Sequence, residues 1–280
     1  MLEMNNKLKI PQMGLGVFKM TIEEAEKCCL EAFKMGYRHI DTAHYYGNEK
    51  GVGEAINKCG IPREEIFLTS KLWHNECAAG ITAQAIDRML KRLNLAYVDL
   101  LLIHWPIGDY IGAWKDMEKA VEDGKVKSIG LSNFMGKSLE DILKIAKIKP
   151  VVDQVECHPY APCDDLRKEL NKFNCYIEAW SPIGRGNEEL LKEEVLVELG
   201  KKYNKTVPQI ILRWHIEKGN IIFPKSSNPV HIKENWEIFD FKLTQEEIEK
   251  INGLAKQPIF CADFDEKLKS IEARTVSLED

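Results

Sequence analysis

The sequence predicts an α/β protein and, within that class, a closed (β/α)8 TIM barrel. Eight short apolar stretches alternate with amphipathic helical stretches along the chain, and apolar strands covered by helices are typical of a parallel sheet. In a chain of 280 residues, eight such repeats favour a closed barrel over an open, doubly wound sheet. No linker divides the chain. We therefore predict a single barrel domain over residues 1–280, with a C-terminal tail from about residue 259 that lies over the barrel mouth or frays.

Each predicted strand is an apolar run that ends at a polar residue or a turn. The strands are predicted at residues 13–18, 39–43, 66–72, 97–104, 126–132, 151–157, 176–180 and 221–224. The first intervening helix begins at Thr21, an N-cap candidate with Glu24 at the spacing of a capping box, and Gly36 ends it. The helices are predicted at residues 21–35, 49–58, 82–93, 113–121, 139–146, 166–173, 189–203, 207–217, 231–236 and 244–254.

Composition argues against several classes of function. Lys and Arg number 39 against 44 Asp and Glu, a net charge of −5 without a basic patch, so nucleic acid is not an expected partner. The apolar runs are too short to span a membrane, and the first residues lack the apolar core of a signal peptide. The eight cysteines form no C-x-x-C pair, and without a signal peptide they are expected to be reduced thiols in a cytoplasmic protein. We expect a monomer.

One short segment contains potential metal ligands. Cys157 and His158 are adjacent, and Cys163 follows in a Pro-rich turn. No second ligand pair completes a tetrahedral set, and the segment has a structural interpretation as a buried strand followed by a turn. No metal site is therefore predicted.

Polar residues stand at the carboxyl ends of the predicted strands, which meet at one face of a barrel. These residues are Asp41, Lys71, His104, Ser132, Asn133, His158, Lys225, Ser226 and Ser181, which follows Trp180. Gln154 lies within the strand that ends before His158. Several apolar strands that each end in a polar residue indicate a functional site more strongly than one such strand does. The sequence therefore predicts an active site at this face.

The residue types suit the polarisation of a carbonyl group. A lysine at the end of a buried strand needs a partner, which Asp41 can supply to Lys71. Lys71 near Tyr46 is expected to favour the phenolate and lower the tyrosine pKa, so that Tyr46 can donate a proton, while His104 orients the carbonyl oxygen. The reducing equivalent would come from a cofactor. Taken singly, Tyr45 could replace Tyr46 in this role.

The other assignments also have structural alternatives when each residue is considered alone. His104 and Trp180 could belong to the core, and Lys71 could be a surface lysine. Ser132 and Asn133 could cap the next helix.

Seven stretches together resemble the aldo-keto reductase family over about residues 7–257. They read GYRHIDTAHYYGNE, FLTSKLW, LLIHWP, GKVKSIGLSNF, QVECHPY, WSPIG, and FPKSSNP followed by IKEN. The resemblance implies a barrel that reduces aldehydes or ketones with a nicotinamide cofactor, without the G-x-G-x-x-G loop, which this sequence lacks after any strand. It also assigns the catalytic tetrad to Asp41, Tyr46, Lys71 and His104, with Tyr46 as general acid.

The resemblance further implies how the cofactor is held. Ser132, Asn133 and Gln154 match residues that bind the nicotinamide carboxamide, and Trp180 matches an aromatic residue, more often Tyr, that stacks on the nicotinamide. The other assigned residues are Ser181 and Ile183 of the WSPIG stretch, Lys225, Ser226 and His231 at the 2′-phosphate, and Glu234 and Asn235 at the adenine. His231 replaces an arginine, and a mostly neutral imidazole cannot form a bidentate contact. NADP(H) is therefore expected to be preferred, with NAD(H) usable.

The substrate pocket is expected to have aromatic walls formed by Phe18, Trp73 and Trp105. Phe18 replaces a Trp that relatives often carry, and the loop after His104 is short, so the pocket is expected to be open. Two alternatives to a carbonyl reductase remain. One is a non-catalytic, regulatory or redox-sensing barrel that binds the same cofactor, and the other is a phosphate-binding isomerase or lyase with Lys71 as a Schiff base.

Overall fold

The computed structural model describes residues 1–256 and 264–279, so the expected start of the tail near residue 259 lies outside the described residues. The chain begins with an antiparallel hairpin that the sequence did not indicate, β1 (Leu2–Glu3) and β2 (Lys9–Ile10). Between its strands, the amide of Asn5 donates to the carbonyl oxygens of Pro150 and Phe173 at 2.9 and 3.2 Å. The hairpin is thereby attached to the amino-terminal ends of the barrel strands.

Eight parallel strands follow in chain order and pair with their sequence neighbours. They are β3 (Leu15–Gly16), β4 (His39–Asp41), β5 (Phe67–Leu72), β6 (Leu100–Ile103), β7 (Ile129–Ser132), β8 (Val152–Glu156), β9 (Tyr176–Trp180) and β10 (Ile221–Ile222). This arrangement confirms the predicted (β/α)8 fold.

The two edges of this sheet meet beside β3 and β10. Met13 and Ile222 form a parallel bridge, and Ile222 also accepts from Gly14 at 2.9 Å and donates to Gln12 at 3.0 Å. A Cβ atom on Gly14 would lie 2.7 Å from the carbonyl oxygen of His39 and 2.8 Å from the Phe223 ring. Glycine is therefore needed where the barrel closes.

Helices cover the outside of the barrel, and most begin within three residues of their predicted positions. They are α1 (Ile22–Lys34), α2 (Glu49–Lys58), α3 (Ile81–Leu93), α4 (Tyr110–Glu122), α5 (Lys137–Ile145), α6 (Asp164–Asn171), α7 (Glu188–Leu191), α8 (Glu194–Tyr203), α9 (Val207–Glu217), α10 (Pro229–Trp236), α11 (Gln245–Asn252) and α12 (Phe264–Glu272). The predicted capping box of Thr21 and Glu24 is present at α1.

The observed helices differ from the predicted ones in two places. The single helix predicted over residues 189–203 is wrong, because Glu193 is extended, at φ −56° and ψ 127°, and separates α7 from α8. Helix α12 was not predicted, since its nine residues include only a short apolar face. Within residues 1–256 and 264–279, no helix is long and apolar enough to cross a membrane.

The interior of the barrel is apolar at one end and polar at the other. Phe67, Leu100 and Leu102 pack with Met4 and Ile10 of the amino-terminal segment. Polar and charged side chains are buried toward the carboxyl ends of the strands, among them Asp41, Lys71, Gln154 and Glu178. Burying charged groups is costly unless they are paired, so this end of the barrel requires a functional explanation.

Candidate active site

The polar end of the barrel is organised around the side chain of Lys71, which is completely buried on β5. Its ammonium group donates to both carboxylate oxygens of Asp41, at 2.8 and 2.6 Å, and to the carbonyl oxygen of Thr42 at 2.9 Å. The hydroxyl of Tyr46 lies 3.3 Å from the same nitrogen. Asp41 thus offsets the free-energy cost of burying the lysine charge. The ammonium group is also held next to the phenol of Tyr46.

A short turn brings Tyr46, rather than Tyr45, to this lysine. The 3₁₀ helix His44–Tyr46 follows β4 and ends at Gly47, whose φ of 68° favours glycine. Tyr45 instead stacks on the indole of Trp73, with ring centroids 3.9 Å apart, and its hydroxyl accepts from Arg274 at 3.4 Å. The two adjacent tyrosines therefore have different environments, and only Tyr46 contacts Lys71.

Burial controls the protonation of these groups. It raises the pKa of Tyr46 above its usual value by more than the Lys71 charge lowers it. The expectation of a lowered tyrosine pKa is therefore wrong in its net direction, although the contribution of Lys71 has the expected sign. Burial would lower the pKa of Lys71, but Asp41 and Tyr46 outweigh it, so the pKa is raised. At neutral pH, Tyr46 is a phenol and Lys71 an ammonium.

His104 lies immediately after β6 and faces the same phenol. Its ring meets those of Tyr46 and Trp73 edge-on, with centroids 5.8 and 5.0 Å away. Burial, with a smaller contribution from the Lys71 charge, holds the pKa of His104 well below its usual range, so the imidazole is neutral at pH 7. Its Nδ1 atom is buried and has no hydrogen-bond partner among the described residues. A neutral imidazole can orient a carbonyl without adding charge.

Ser132, Asn133 and Gln154 form a connected polar group next to His104. The Ser132 hydroxyl donates to the backbone oxygen of Gln154 at 2.9 Å, and the Asn133 amide donates to Ser132 Oγ and to the backbone oxygen of His104, both at 3.0 Å. The next helix, α5, has Gly136 as its N-cap, so the capping alternative for Ser132 and Asn133 is wrong.

The indole of Trp180 is half-buried at the end of β9. Its Nε1 atom donates to Asn133 Oδ1 at 3.0 Å, which fixes the plane of the ring. The guanidinium of Arg185 and the ammonium of Lys267 lie 5.1 and 4.7 Å from the ring centroid. Both cations also lie near the carboxylate of Glu156, at 3.5 and 4.0 Å. Two cations, partly balanced by one carboxylate, therefore lie against this aromatic surface.

Ser181 and Ile183 follow Trp180 in the chain. Ser181 has a positive φ of 52°, and Ile183 is the N-cap of the 3₁₀ helix Gly184–Gly186. They form the turn that leads from the Trp180 strand end to Arg185, so the WSPIG stretch lies together at the barrel mouth.

The residues expected at the 2′-phosphate lie around the start of α10. Lys225 is exposed, and Ser226 accepts from the backbone N–H of Asn228, the N-cap of this helix, at 3.1 Å. His231 Nδ1 lies 2.9 Å from a carboxylate oxygen of Glu234, and the side chains are 60% and 40% exposed. Asn235 is buried. The site thus offers one lysine, backbone donors and an imidazole that already has an acidic neighbour.

Two of the three predicted pocket residues, Phe18, Trp73 and Trp105, contact the tetrad where the opening is expected: Phe18 packs against Tyr46 and Trp73 against His104. Phe18 is 44% exposed, and its ring centroid lies 4.9 Å from that of Tyr46. Trp73 and Trp105 are buried and pack with Ile271 of α12. Aromatic side chains and α12 therefore lie beside the expected opening.

The segment after α12 is attached to the residues that follow β5. The backbone oxygen of Arg274 accepts from Trp73 Nε1 at 2.7 Å and lies 2.5 Å from His74 Nε2. Asn75 exchanges two hydrogen bonds with the backbone of Val276, at 2.9 and 3.2 Å. These contacts hold residues 273–276 beside the Trp73 wall.

The chain matches the model of the Aldo/keto reductase family over residues 12–256. It belongs to this family. The glyoxal reductase of Bacillus subtilis is 45% identical over 256 residues, which are 91% of this chain and 92% of that protein. The methylglyoxal reductase of Yersinia pestis is 40% identical over 88% of this chain and 89% of its own.

Solved structures of aldo/keto reductases have the same fold. The enzyme from Brucella melitensis is 46% identical and has a TM-score of 0.87, over 90% of this chain and 98% of that one. The Bombyx mori aldo-keto reductase in complex with NADP is 34% identical and has a TM-score of 0.88, over 95% of this chain and 96% of that one.

Among the described residues, the charged side chains near the site of this aldo/keto reductase that were not predicted include Glu156, Glu178, Arg185 and Lys267. Glu178 did leave a signal, since a carboxylate in the middle of the apolar stretch YIEAW must be buried. Arg185 follows WSPIG directly and could have been included with it. No feature of the sequence indicated Lys267, because its position depends on how the C-terminal segment packs.

Proposed function

We propose that this aldo/keto reductase reduces aldehydes or ketones to alcohols with NADPH, and that Tyr46 is the general acid. The observation that carries the proposal is the contact of one buried ammonium group, on Lys71, with both Asp41 and Tyr46. This arrangement keeps a phenol protonated at neutral pH while a positive charge lies ready to stabilise the phenolate.

Each member of the tetrad has a separate role in this proposal. The neutral imidazole of His104 orients the substrate carbonyl and Tyr46 donates its proton to the oxygen. Lys71 then stabilises the phenolate, and Asp41 holds Lys71 in place. When bound, the nicotinamide cofactor supplies the hydride.

The residues present fit such a cofactor. The half-buried indole of Trp180 offers a flat face, and its plane is fixed by Asn133. Ser132, Asn133 and Gln154 bring amide and hydroxyl groups beside it, which suits a carboxamide. Lys225 and the donors at the start of α10 suit a phosphate. NADPH is therefore the proposed cofactor.

Small dicarbonyl compounds are the first substrates to test. The relatives described above are named glyoxal and methylglyoxal reductases. An aromatic opening bounded by Phe18, Trp73 and Trp105 would admit a small, flat substrate of this kind. Apolar walls discriminate weakly between similar substrates, so we expect activity on a range of small aldehydes.

The two alternatives receive less support. A Schiff-base lyase needs an unprotonated lysine, whereas the ammonium of Lys71 is bonded to Asp41 and its pKa is raised. A non-catalytic barrel has no use for a phenol, an imidazole and a buried ammonium that meet at one opening.

Loss of NADPH absorbance with methylglyoxal tests the proposal. The wild type should consume NADPH, whereas Tyr46→Phe should retain NADPH binding and lose roughly 10²–10⁴-fold in turnover, because only the proton donor is removed. Tyr45→Phe is the matched control, since Tyr45 does not contact Lys71, and it should keep most of the activity. If Tyr46→Phe turned over like the wild type, Tyr46 would not be the acid.

A further inference from the structure

Glu178 is a buried carboxyl group that none of the roles above uses. It lies on β9 directly beside Gln154 of β8 in the strand register, and it is fully buried. Its Oε2 atom accepts from the side-chain amide of Gln154 at 3.0 Å. Its Oε1 atom is buried and has no hydrogen-bond partner in the part of the chain that the structure describes. A half-satisfied carboxyl in a barrel interior is costly, so it needs a reason.

The same amide nitrogen of Gln154 also donates to Asp41 Oδ2, at 2.9 Å. Both acceptors are carboxyl oxygens, which identifies this end of the Gln154 side chain as its NH2 group. A continuous chain of hydrogen bonds thus runs from Glu178 through Gln154, Asp41 and Lys71 to Tyr46.

The protonation of Glu178 depends on the groups around it. Burial raises the pKa of Glu178 to about 8, the negative charge of Asp41 adds to the effect, and Gln154 and Lys71 oppose it. The titratable groups that face it are Asp41 on β4, Lys71 on β5, Asp153 on β8 and Cys175 just before β9. At pH 7 Glu178 is therefore a neutral acid, and it can accept from Gln154 without placing a second negative charge beside Asp41.

We propose that Glu178 is a positioning residue that fixes the orientation of the Gln154 amide. With its NH2 group held between Glu178 and Asp41, Gln154 keeps its carbonyl oxygen for a donor such as the NH2 group of a nicotinamide carboxamide. The inference rests on the proposed function, because it assigns a purpose to the orientation of a residue in the proposed cofactor site. Without Glu178, the Gln154 amide retains one fixed acceptor and can rotate.

The hydrogen-bond chain also predicts an effect of pH. When Glu178 loses its proton, a second negative charge lies near Asp41 and makes a phenolate on Tyr46 less stable, so proton donation becomes slower. The rate of reduction should therefore be full below the pKa of Glu178 and should fall as the pH rises through about 8. The titration of Tyr46 itself contributes a separate decline at higher pH.

Two substitutions separate orientation from charge. Glu178→Gln keeps an acceptor oxygen but cannot ionise, whereas Glu178→Met has a similar length and no acceptor. We expect Glu178→Gln to bind NADPH like the wild type and to lose the decline near pH 8. We expect Glu178→Met to bind NADPH about tenfold more weakly, because a buried hydrogen bond and the amide orientation are lost.

The measurements are the NADPH dissociation constant, from quenching of tryptophan fluorescence, and the pH profile of methylglyoxal reduction. Absence of NADPH binding and of reduction by the wild type would overturn the proposed function as a whole. With an active wild type, normal NADPH affinity in Glu178→Met would overturn the role of Glu178 alone. If Glu178→Met does not fold, Glu178→Gln still decides: it keeps the acceptor oxygen, so weaker NADPH binding in this variant would overturn the orienting role, and an unchanged decline near pH 8 would overturn the predicted effect of the charge.

Discussion

Lys71 is the residue on which the proposed site depends, because its charge is completely buried and has Asp41 as its carboxylate partner. A buried ion pair is weak evidence for stability, since removing both charges from water has a large desolvation cost. Removing only one partner is different, because the other charge is left buried without compensation. The pair therefore allows structural and catalytic contributions of Lys71 to be separated by mutation.

Lys71→Met should lower the free energy of unfolding by about 3–5 kcal/mol and abolish most of the reduction, since Asp41 loses its counter-charge and Tyr46 loses the charge that stabilises its phenolate. The double variant Asp41→Asn with Lys71→Met should recover much of the stability but none of the activity. Urea denaturation and NADPH-dependent turnover measure the two effects. Recovery of turnover in the double variant would contradict the proposed role of Lys71.

The meeting of the proposed tetrad residues at one end of the barrel was predictable from sequence for a simple physical reason. Asp41, Lys71 and His104 are polar residues at the ends of apolar strands, and a barrel brings such ends together. The net pKa direction of Tyr46 was not predictable, because it depends on how deeply the phenol is buried. Glu178 illustrates the same limit, since its importance comes from its cross-strand neighbour Gln154 rather than from any motif.

At the scale of secondary-structure elements, short sequence motifs predict where a helix begins better than they predict whether it continues without a break. The capping box of Thr21 and Glu24 marks the start of α1, and a second box at Thr206 and Gln209 marks α9. The break between α7 and α8 occurs at Glu193, which has a non-helical backbone conformation. No Gly or Pro at this position indicates the break in the sequence. Tertiary packing decides such breaks, and single residues do not reveal them.

The start of α10 is the element that should determine the choice between NADPH and NADH. His231→Arg replaces an imidazole, which already has Glu234 at 2.9 Å, with a permanently charged, bidentate donor. We expect the ratio of kcat/KM for NADPH over NADH to rise about tenfold, the effect of one additional charge-assisted contact. Lys225→Met is the matched comparison and should lower the ratio.

A particular pair of results would contradict this prediction. If His231→Arg left the ratio unchanged while Lys225→Met lowered it, the residue at position 231 would not reach the 2′-phosphate. The cofactor preference would then depend on Lys225 and on the backbone donors at the start of α10.

At the scale of the whole molecule, the barrel brings together parts of the chain that are distant in sequence. The parallel bridge between Met13 and Ile222 closes the sheet, and the C-terminal segment reaches the loop after β5 some 200 positions earlier, as in the hydrogen bond from Trp73 to Arg274. The sequence predicts the closure, because eight repeats imply it. The course of a tail from about residue 259 over the mouth stays a prediction, since residues 257–263 lie outside the described chain.

Removing residues 273–280 should test how the C-terminal segment shapes the opening. The deletion takes away the Arg274 carbonyl that accepts from Trp73 and the Val276 backbone that pairs with Asn75, and it loosens Ile271 against the tryptophans. The barrel strands and the tetrad make none of these contacts, so folding and NADPH affinity should change little. The KM for methylglyoxal should rise several-fold, because the wall at Trp73 loses its support.

A deletion of only residues 279 and 280 is the control for this experiment. It leaves the contacts of Arg274 and Val276 in place, so its KM should equal that of the full chain. The comparison should include tryptophan fluorescence, since the emission of Trp73 and Trp105 should shift to longer wavelength only when residues 273–280 are removed and water reaches the two indoles. An unchanged KM and emission in the longer deletion would show that the aromatic wall stands without the C-terminal segment, and that the opening is determined by the barrel loops alone.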